Sequence, residues 1–293
     1  MSDPEVSLSC GPSWRSVLAE SARALEDPRE AGWIVQHASG LARPMIMSAL
    51  DAAVPASVVA RIQVLVERRR SGEPLQRVLG EWGFRGIEVA VDGRALVPRP
   101  ETEIVVEQAL AQLELAGPPW RVVDLGTGSG VIALSIASEH PSAHVYGTDA
   151  SGDALCLAEE NLARQPDHVR ARVQLLAGDW FAALPSGVAG SIAVVVSNPP
   201  YLAEAEWPTL EPVVRDYDPY EALVAGETGL EAIAVLVTEA PRWLRPGGAL
   251  VLEIAPHQTD AALALAAGGG YASATVVDDL AGRPRVLVAR RGA

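Results

Sequence analysis

Apolar positions along the chain follow first one rhythm and then another. Between residue 13 and about residue 70 they recur at helical spacing: Trp14, Val17, Leu18 and Leu25, then Trp33, Ile34 and His37, then Val58, Ile62, Leu65 and Val66. Proline near the predicted helix starts punctuates this stretch, in Glu26-Asp27-Pro28 and Asp51-Ala-Ala-Val-Pro55, and Ser71-Gly72-Glu73-Pro74 breaks its last helix. The pattern predicts a small helical domain over 1–74. Residues 76–98 change to strand-like spacing, with Ile87-Glu-Val-Ala-Val91 running into Asp92-Gly93, a two-residue hairpin signal, before Leu96-Val97. A β-hairpin joint over 75–100 is the expectation. From Glu101 onward helices and strands alternate, which predicts a doubly wound α/β domain over 101–293. Its predicted helices are Glu101 to Leu115, Val131 to His140, Gly226 to Leu244 and about His257 to Ala267. Its strands begin at Arg121, His144, Val173, Ile192, Ala249, Thr275 and Val286.

The chemistry gathers where these strands end. Ile192-Ala-Val-Val-Val196 stops abruptly at Asn198-Pro199-Pro200-Tyr201. Two prolines fix φ near −65° and remove two N–H donors, so the loop carbonyls stay free as acceptors beside an Asn side chain and an aromatic ring. That set suits a planar NH2 group, although a Pro-Pro that merely ends a strand over a core Tyr is the plainer reading. Arg121-Val-Val-Asp124-Leu runs into Gly126-Thr127-Gly128-Ser129-Gly130 and then a helix. Strand, glycine turn and helix start form a nucleotide-type cradle, because glycine admits a close ligand and the helix offers free N–H groups. Asp149, 19 positions beyond Gly130, ends the next strand and could accept both protons of a ribose diol. Asp179-Trp180 after the following strand could bring a carboxylate and an indole to an adenine, or could be a strand-end turn over a core Trp. The glycine turn also fits the dinucleotide pattern G-x-G-x-x-A through Ala133, but that use leaves Asn198 to Tyr201 unexplained.

Taken together, these edges resemble an S-adenosylmethionine-dependent methyltransferase with an amino-methylating Asn-Pro-Pro-Tyr motif. Three more segments narrow the likeness: Val97-Pro98-Arg99-Pro100-Glu101-Thr102-Glu103; Pro74-Leu75-Gln76 with Gly80 and Phe84; and Asp279-Leu-Ala-Gly282-Arg283-Pro-Arg285. They are similar to the release factor glutamine methyltransferase family of the HemK/PrmC type, from about residue 74 to the C-terminus, with a weaker helical correspondence before it. The resemblance implies a Rossmann-like class I methyltransferase domain, a mostly parallel seven-stranded sheet whose last strand runs antiparallel, with a small N-terminal helical domain joined by a β-hairpin. It implies S-adenosylmethionine as cofactor, with Gly126, Thr127, Gly128, Ser129, Gly130, Asp149, Asp179, Trp180 and Asn198 around it. Asn198, Pro199, Pro200 and Tyr201 become the catalytic and substrate-binding corner, with Tyr201 packed on the amide plane. Peptide chain release factors are the implied protein substrate, methylated on the glutamine of a Gly-Gly-Gln tip; a ribosomal-protein glutamine and, further off, nucleic-acid adenine N6 are the alternatives. The helical region, which precedes every cofactor motif, is expected to recognise the protein. Arg99, Glu101 and Thr102 fall near the methionine end of the cofactor or serve the domain joint. Glu253 and Gln258 match the family's Leu-Glu-Ile-Gly…Gln segment, with Ala255 in place of its glycine.

Composition changes this picture in one respect. The net charge is −14, and the imbalance is local: residues 1–100 carry 12 Arg against 12 acids, whereas 101–293 carry 11 Arg against 25 acids. A phosphate backbone is gripped by cations, so this balance argues against a nucleic-acid substrate, a dehydrogenase being a third reading and a non-catalytic cofactor-binding protein a fourth. Arg68-Arg69-Arg70 reads as a solvated helix end rather than a docking site. The two cysteines, Cys10 and Cys156, are too few for a disulfide framework, and the five histidines show no metal-ligand grouping, so no metal is expected. No uninterrupted apolar stretch of about 18 residues predicts a membrane span, and the first residues, with Asp3 and Glu5, do not read as a signal peptide. A cytoplasmic enzyme is the expectation.

Overall fold

The structure, a computed structural model, describes residues 11–292. The readings made at Asp3, Glu5 and Cys10 lie outside the described residues. The chain divides into two compact units at Gly80/Glu81.

The first unit is helical: α1 (Trp14–Leu25), α2 (Pro28–Ser39), α3 (Arg43–Ser48), α4 (Ala56–Arg70) and the short α5 (Leu75–Leu79). Local chemistry sets the boundaries. Ser13 caps α1 by accepting the Ser16 N–H, and Asp27 caps α2 by accepting those of Arg29 and Glu30, with Pro28 at the first helical position. Gly40, at φ 69°, closes α2 in the left-handed region that a side chain disfavours. Trp14, Val17, Ile34, Val35, Ala38 and Ile62 are buried as the spacing requires, but Trp33 turns outward and is 45% exposed. The arginine run at the end of α4 is not simply solvated. The Arg68 guanidinium donates to Glu73 and to two carbonyls, and Arg69 donates to Glu30 at 2.6 and 3.1 Å.

The second unit opens with a hairpin, β1 (Glu81–Phe84) and β2 (Ile87–Ala90). Its reversal falls at Arg85-Gly86, not at Asp92-Gly93. Both residues take positive φ, 44° and 85°, as a tight two-residue loop between twisted strands demands. Arg85 tolerates this because its side chain is held by Glu139 at 2.6 Å through two nitrogens. Asp92 instead accepts from the backbone and guanidinium of Arg94, and residues 91–101 form an irregular segment.

Then follow α6 (Thr102–Ala116), β3 (Arg121–Leu125), α7 (Val131–Glu139), β4 (His144–Asp149), α8 (Gly152–Ala163), α9 (Asp167–Arg170), β5 (Val173–Ala177) and β6 (Ile192–Ser197). Beyond β6 come β7 (Leu202–Ala203), α10 (Pro212–Arg215), α11 (Tyr220–Leu223), β8 (Val224–Gly226), α12 (Glu231–Trp243), β9 (Leu244–Glu253), α13 (Thr259–Gly268), β10 (Tyr271–Asp278) and β11 (Pro284–Arg291). The predicted helix starting at Gly226 begins five residues later, because Val224–Gly226 pairs in parallel with Leu202–Ala203. The main sheet has seven strands in the order β10-β11-β9-β6-β3-β4-β5. β9, β6, β3, β4 and β5 are parallel, while β11 runs antiparallel to both β9 and β10.

Helices cover both faces of the sheet, so its central strands are apolar on both sides, and every residue of β6 is buried. Successive residues separate into two cores. Val122 and Val194 pack with α6, α7 and the hairpin; Val123 and Val195 pack with α12 and α13. The chain leaves β3 toward β4 on one side and reaches β6 on the other, so the carboxyl ends of β3, β4 and β6 flank a topological switch point.

Candidate active site

A cavity of about 290 Å³ opens at those strand ends, close to the lower end of small-ligand pockets at roughly 300 Å³. One wall is the turn after β3. Gly126, Gly128 and Gly130 have φ of 69°, 57° and 86°, values that side chains rarely adopt. Gly126, Thr127, Gly128 and Ser129 line the cavity; Gly130 does not. A Cβ on Gly130 would meet Leu134 and Ala158 at 3.3 to 3.4 Å, so this glycine also lets the turn pack closely on its neighbours.

The turn is held from below by Asp124, a residue that sequence reasoning quoted but gave no role. Its Oδ2 accepts the Thr127 hydroxyl at 2.6 Å and the Ala133 N–H at 3.2 Å, while the buried Oδ1 has no partner. Burial pushes the Asp124 carboxyl up to about 7, against those two hydrogen bonds, and nearby Asp149 adds to the rise. An acid set inside an apolar strand, Val-Val-Asp-Leu, was the signal. A second residue passed over is buried Asn161 on α8. Its amide accepts the Ala90 N–H at 2.6 Å and donates to the Ser129 carbonyl at 2.9 Å, tying the hairpin to the turn.

Asp149 lies on the cavity wall at the end of β4. Each of its oxygens accepts one backbone N–H, from Gly128 at 2.8 Å and from Ser151 at 2.9 Å. These bonds fix the carboxylate and leave it lone pairs for two more donors. Asp179 and Trp180 are also in the wall. Trp180 takes φ 42°, and its ring occupies the space beside Gly126, where a Cβ would come within 3.4 Å of it.

The rest of the lining combines the irregular segment Arg94–Arg99, whose Ala95 lies beside Gly128, and Thr102 with Asn198, Pro200, Pro219, Glu221 and Ala222. Asp218, with a fully buried side chain, joins two of these pieces: it accepts from Arg99 at 2.5 Å and from the Val97 N–H at 3.4 Å. Asn198 donates its Nδ2 to Thr102 Oγ1 at 3.2 Å, and Thr102 donates to Glu253 Oε2 at 2.8 Å. Glu253 is 2% exposed, and burial pushes its carboxyl up to about 7, opposed by the Thr102 hydrogen bond and the Arg285 charge.

Neither Pro199 nor Tyr201 lines the cavity; the Tyr201 ring packs against the apolar cluster of α12 and α13. Burial, with Glu253 nearby, pushes its phenol up to about 12. The backbone of Tyr201 is also engaged, donating to Leu223 and accepting from Gln258 Nε2 at 2.8 Å. Tyr201 therefore anchors the corner. Glu101 is likewise absent from the cavity wall and pairs with Arg283 at 3.2 Å. Ala255, at φ −74° and ψ 146°, has ordinary extended backbone, so the methyl group in place of a glycine strains nothing.

Among the described residues no group of three or more His, Cys, Asp or Glu is arranged to hold a metal ion, and no helix is long and apolar enough to cross a membrane.

Residues 104–211 match the model of the methyltransferase small domain, and residues 13–80 match that of the PrmC N-terminal domain. Release factor glutamine methyltransferases from Cereibacter sphaeroides and Deinococcus radiodurans are 38% and 40% identical to the chain. The first alignment covers 90% of this chain and 91% of that protein; the second covers 89% and 90%. A crystal structure of a methyltransferase from Pyrococcus furiosus superposes with a TM-score of 0.51 at 19% identity, covering 71% of this chain and 90% of that one, a likeness of fold.

Proposed function

This chain belongs to the release factor glutamine methyltransferase family, and from that premise we propose that it transfers a methyl group from S-adenosylmethionine to the side-chain amide nitrogen of a glutamine in a peptide chain release factor. The observation that carries the reading is the state of Asn198. Its Nδ2 is committed to Thr102, so Oδ1, without a protein partner, is the acceptor it offers in a cavity that a nucleoside-type cradle also lines.

The cavity residues fit the cofactor. The left-handed glycines bring bare backbone to the wall, Asp149 keeps free lone pairs for a ribose diol, and Asp179 stands beside the Trp180 indole for an adenine. When bound, S-adenosylmethionine supplies an electrophilic methyl group on a sulfonium and leaves as a neutral thioether. A dinucleotide in the same cradle gives Asn198 nothing to do.

The amide nitrogen of glutamine is a poor nucleophile, because its lone pair is delocalised into the carbonyl. Positioning therefore supplies much of the acceleration, and well-oriented groups lower such barriers by about 7 kcal/mol or more. Asn198 Oδ1 and, from the backbone between the lining residues Asn198 and Pro200, the Pro199 carbonyl accept the two amide hydrogens and aim the nitrogen at the methyl carbon. As the new N–C bond forms, positive charge grows on the N–H groups, and both acceptors stabilise it most strongly at that moment. One proton then leaves the nitrogen for solvent. Pro199 and Pro200 hold the corner's backbone with no donor of their own to compete.

The helical unit, which contributes none of the cavity residues, serves recognition of the release factor. An enzyme of translation termination implies a cytoplasmic location. The test is mass spectrometry of a release factor co-expressed with this protein. A 14 Da increase, the mass of CH2, confined to the glutamine of its Gly-Gly-Gln tip is expected; methylation found only on nucleic-acid adenine overturns the reading.

A further inference from the structure

The acceptor assigned to Asn198 is only as good as the orientation of its amide, since rotation by half a turn would present two donors to a substrate that also brings donors. Nothing within Asn198 decides between the two. The decision lies one and two side chains behind it, in Thr102 at the start of α6 and Glu253 at the end of β9.

A threonine hydroxyl has one proton to give. While Glu253 is a carboxylate it can only accept, so the Thr102 proton points to Glu253 Oε2 and the Thr102 oxygen can only accept from Asn198, as the 2.8 and 3.2 Å contacts record. Asn198 must then turn Nδ2 toward Thr102 and leave Oδ1 for the cavity. Were Glu253 neutral, its own O–H could donate to Thr102, the threonine proton would be free to turn to Asn198 Oδ1, and the amide could present Nδ2 to the substrate.

We propose that Thr102 and Glu253 are positioning residues that select the substrate-accepting orientation of the Asn198 amide. This rests on the function proposed above and assigns it two residues that do not touch the reacting atoms.

The surroundings make the selection responsive to pH. Around Glu253 stand Arg285 from β11, Arg99 and Glu101 from the segment leading into α6, and Tyr201 after β6. The two arginines favour the carboxylate; burial and Glu101 favour the neutral acid, and burial is the largest influence, so the carboxyl titrates at about 7. The competent form is the ionised one. The turnover number should therefore rise with pH through that value and level off above it.

The experiment measures methyl transfer to the intact release factor by the full-length enzyme from pH 5.5 to 8.5, with calorimetry of S-adenosylhomocysteine binding on every variant as the check on folding and cofactor affinity. Thr102→Val, which keeps shape and removes the hydroxyl, is expected to lower kcat about tenfold or more, as small misplacements of reacting groups do, with product affinity falling much less than kcat. Thr102→Ser, which restores the hydroxyl, should recover most of kcat. Glu253→Gln should abolish the acid limb of the wild-type kcat profile. An active wild type whose kcat is flat across this range, or a Glu253→Gln variant that keeps the acid limb, overturns the proposal even if Thr102→Val fails to fold. A wild type that methylates no glutamine overturns the proposed function itself, and the selection with it.

Discussion

Two buried carboxylates stand beneath the two walls of the cavity, and burial raises both to about 7. Asp124 lies under the glycine turn and spends its hydrogen bonds on the threonine hydroxyl and a backbone N–H of that turn and the following helix. Glu253 lies under Asn198 and spends its bond on a threonine that in turn receives a side-chain amide. The chemistry is the same, but what each controls differs. Asp124 shapes a stretch of backbone whose left-handed φ angles glycine adopts freely, so its work is to hold one conformation among those glycine allows. Glu253 acts on side chains with several rotamers, so its work is to choose among conformations of similar energy. A buried acid can thus serve a binding wall by rigidity and a reacting wall by proton direction, and the two roles separate when affinity and turnover are measured apart.

The strongest way to break this contrast is Asn198→Ala. It should lower kcat by about 100-fold or more, the scale of removing one preorganised polar group from a reacting centre, and leave the fold intact by thermal melting. Asn198→Asp keeps an acceptor and should retain measurable turnover. Wild-type turnover in the alanine variant would mean that the reacting wall is elsewhere.

On the binding wall, Asp149→Ala removes two acceptors for a ribose, each charge-assisted bond being worth roughly 1.5 to 3 kcal/mol before water compensates. It also strands the Gly128 and Ser151 N–H groups. Cofactor affinity should fall at least about tenfold with kcat at saturation much less affected. Unchanged affinity would reject the ribose assignment.

Smaller effects belong to stability. In the folded protein both acids titrate near 7 rather than at the ordinary carboxylate value, so between about pH 4 and 7 the native state holds protons that the unfolded chain has lost. Their contribution falls as pH rises across that window, by up to about 1.4 kcal/mol per pH unit for each acid, and is constant above it. Asp124→Asn and Glu253→Gln should each narrow the difference in Tm between pH 5 and pH 8. A pH dependence of melting equal to wild type in both would contradict the raised values.

The smallest effect is at Ala255. Its backbone is extended, so Ala255→Gly gains no relief of strain and adds freedom to the unfolded chain, costing about 0.4 to 1 kcal/mol. A more stable glycine variant would show that the Ala255 methyl group is strained after all.

What could be read from the sequence alone was whatever a short run of residues decides. Alternation of strands and helices, the glycine turn, the proline corner and the acid at the end of β4 are local, because φ preference and side-chain period act over a few positions. Where two local signals competed, tertiary structure chose. Asp92-Gly93 is the more familiar hairpin dipeptide, yet the chain reverses at Arg85-Gly86, where Glu139 and the Glu103 carbonyl reward the strained arginine. Tyr201 follows the lining residue Pro200 in sequence, but its ring packs against the apolar cluster of α12 and α13. The contacts that orient the site were beyond reach for a simpler reason. Thr102 and Glu253 are 151 residues apart, and Thr102 and Asn198 are 96 apart. Nothing in the neighbourhood of any of the three tells where its partner lies; only the stacking of α6 against β6 and β9 brings one hydroxyl between an amide and a buried carboxylate.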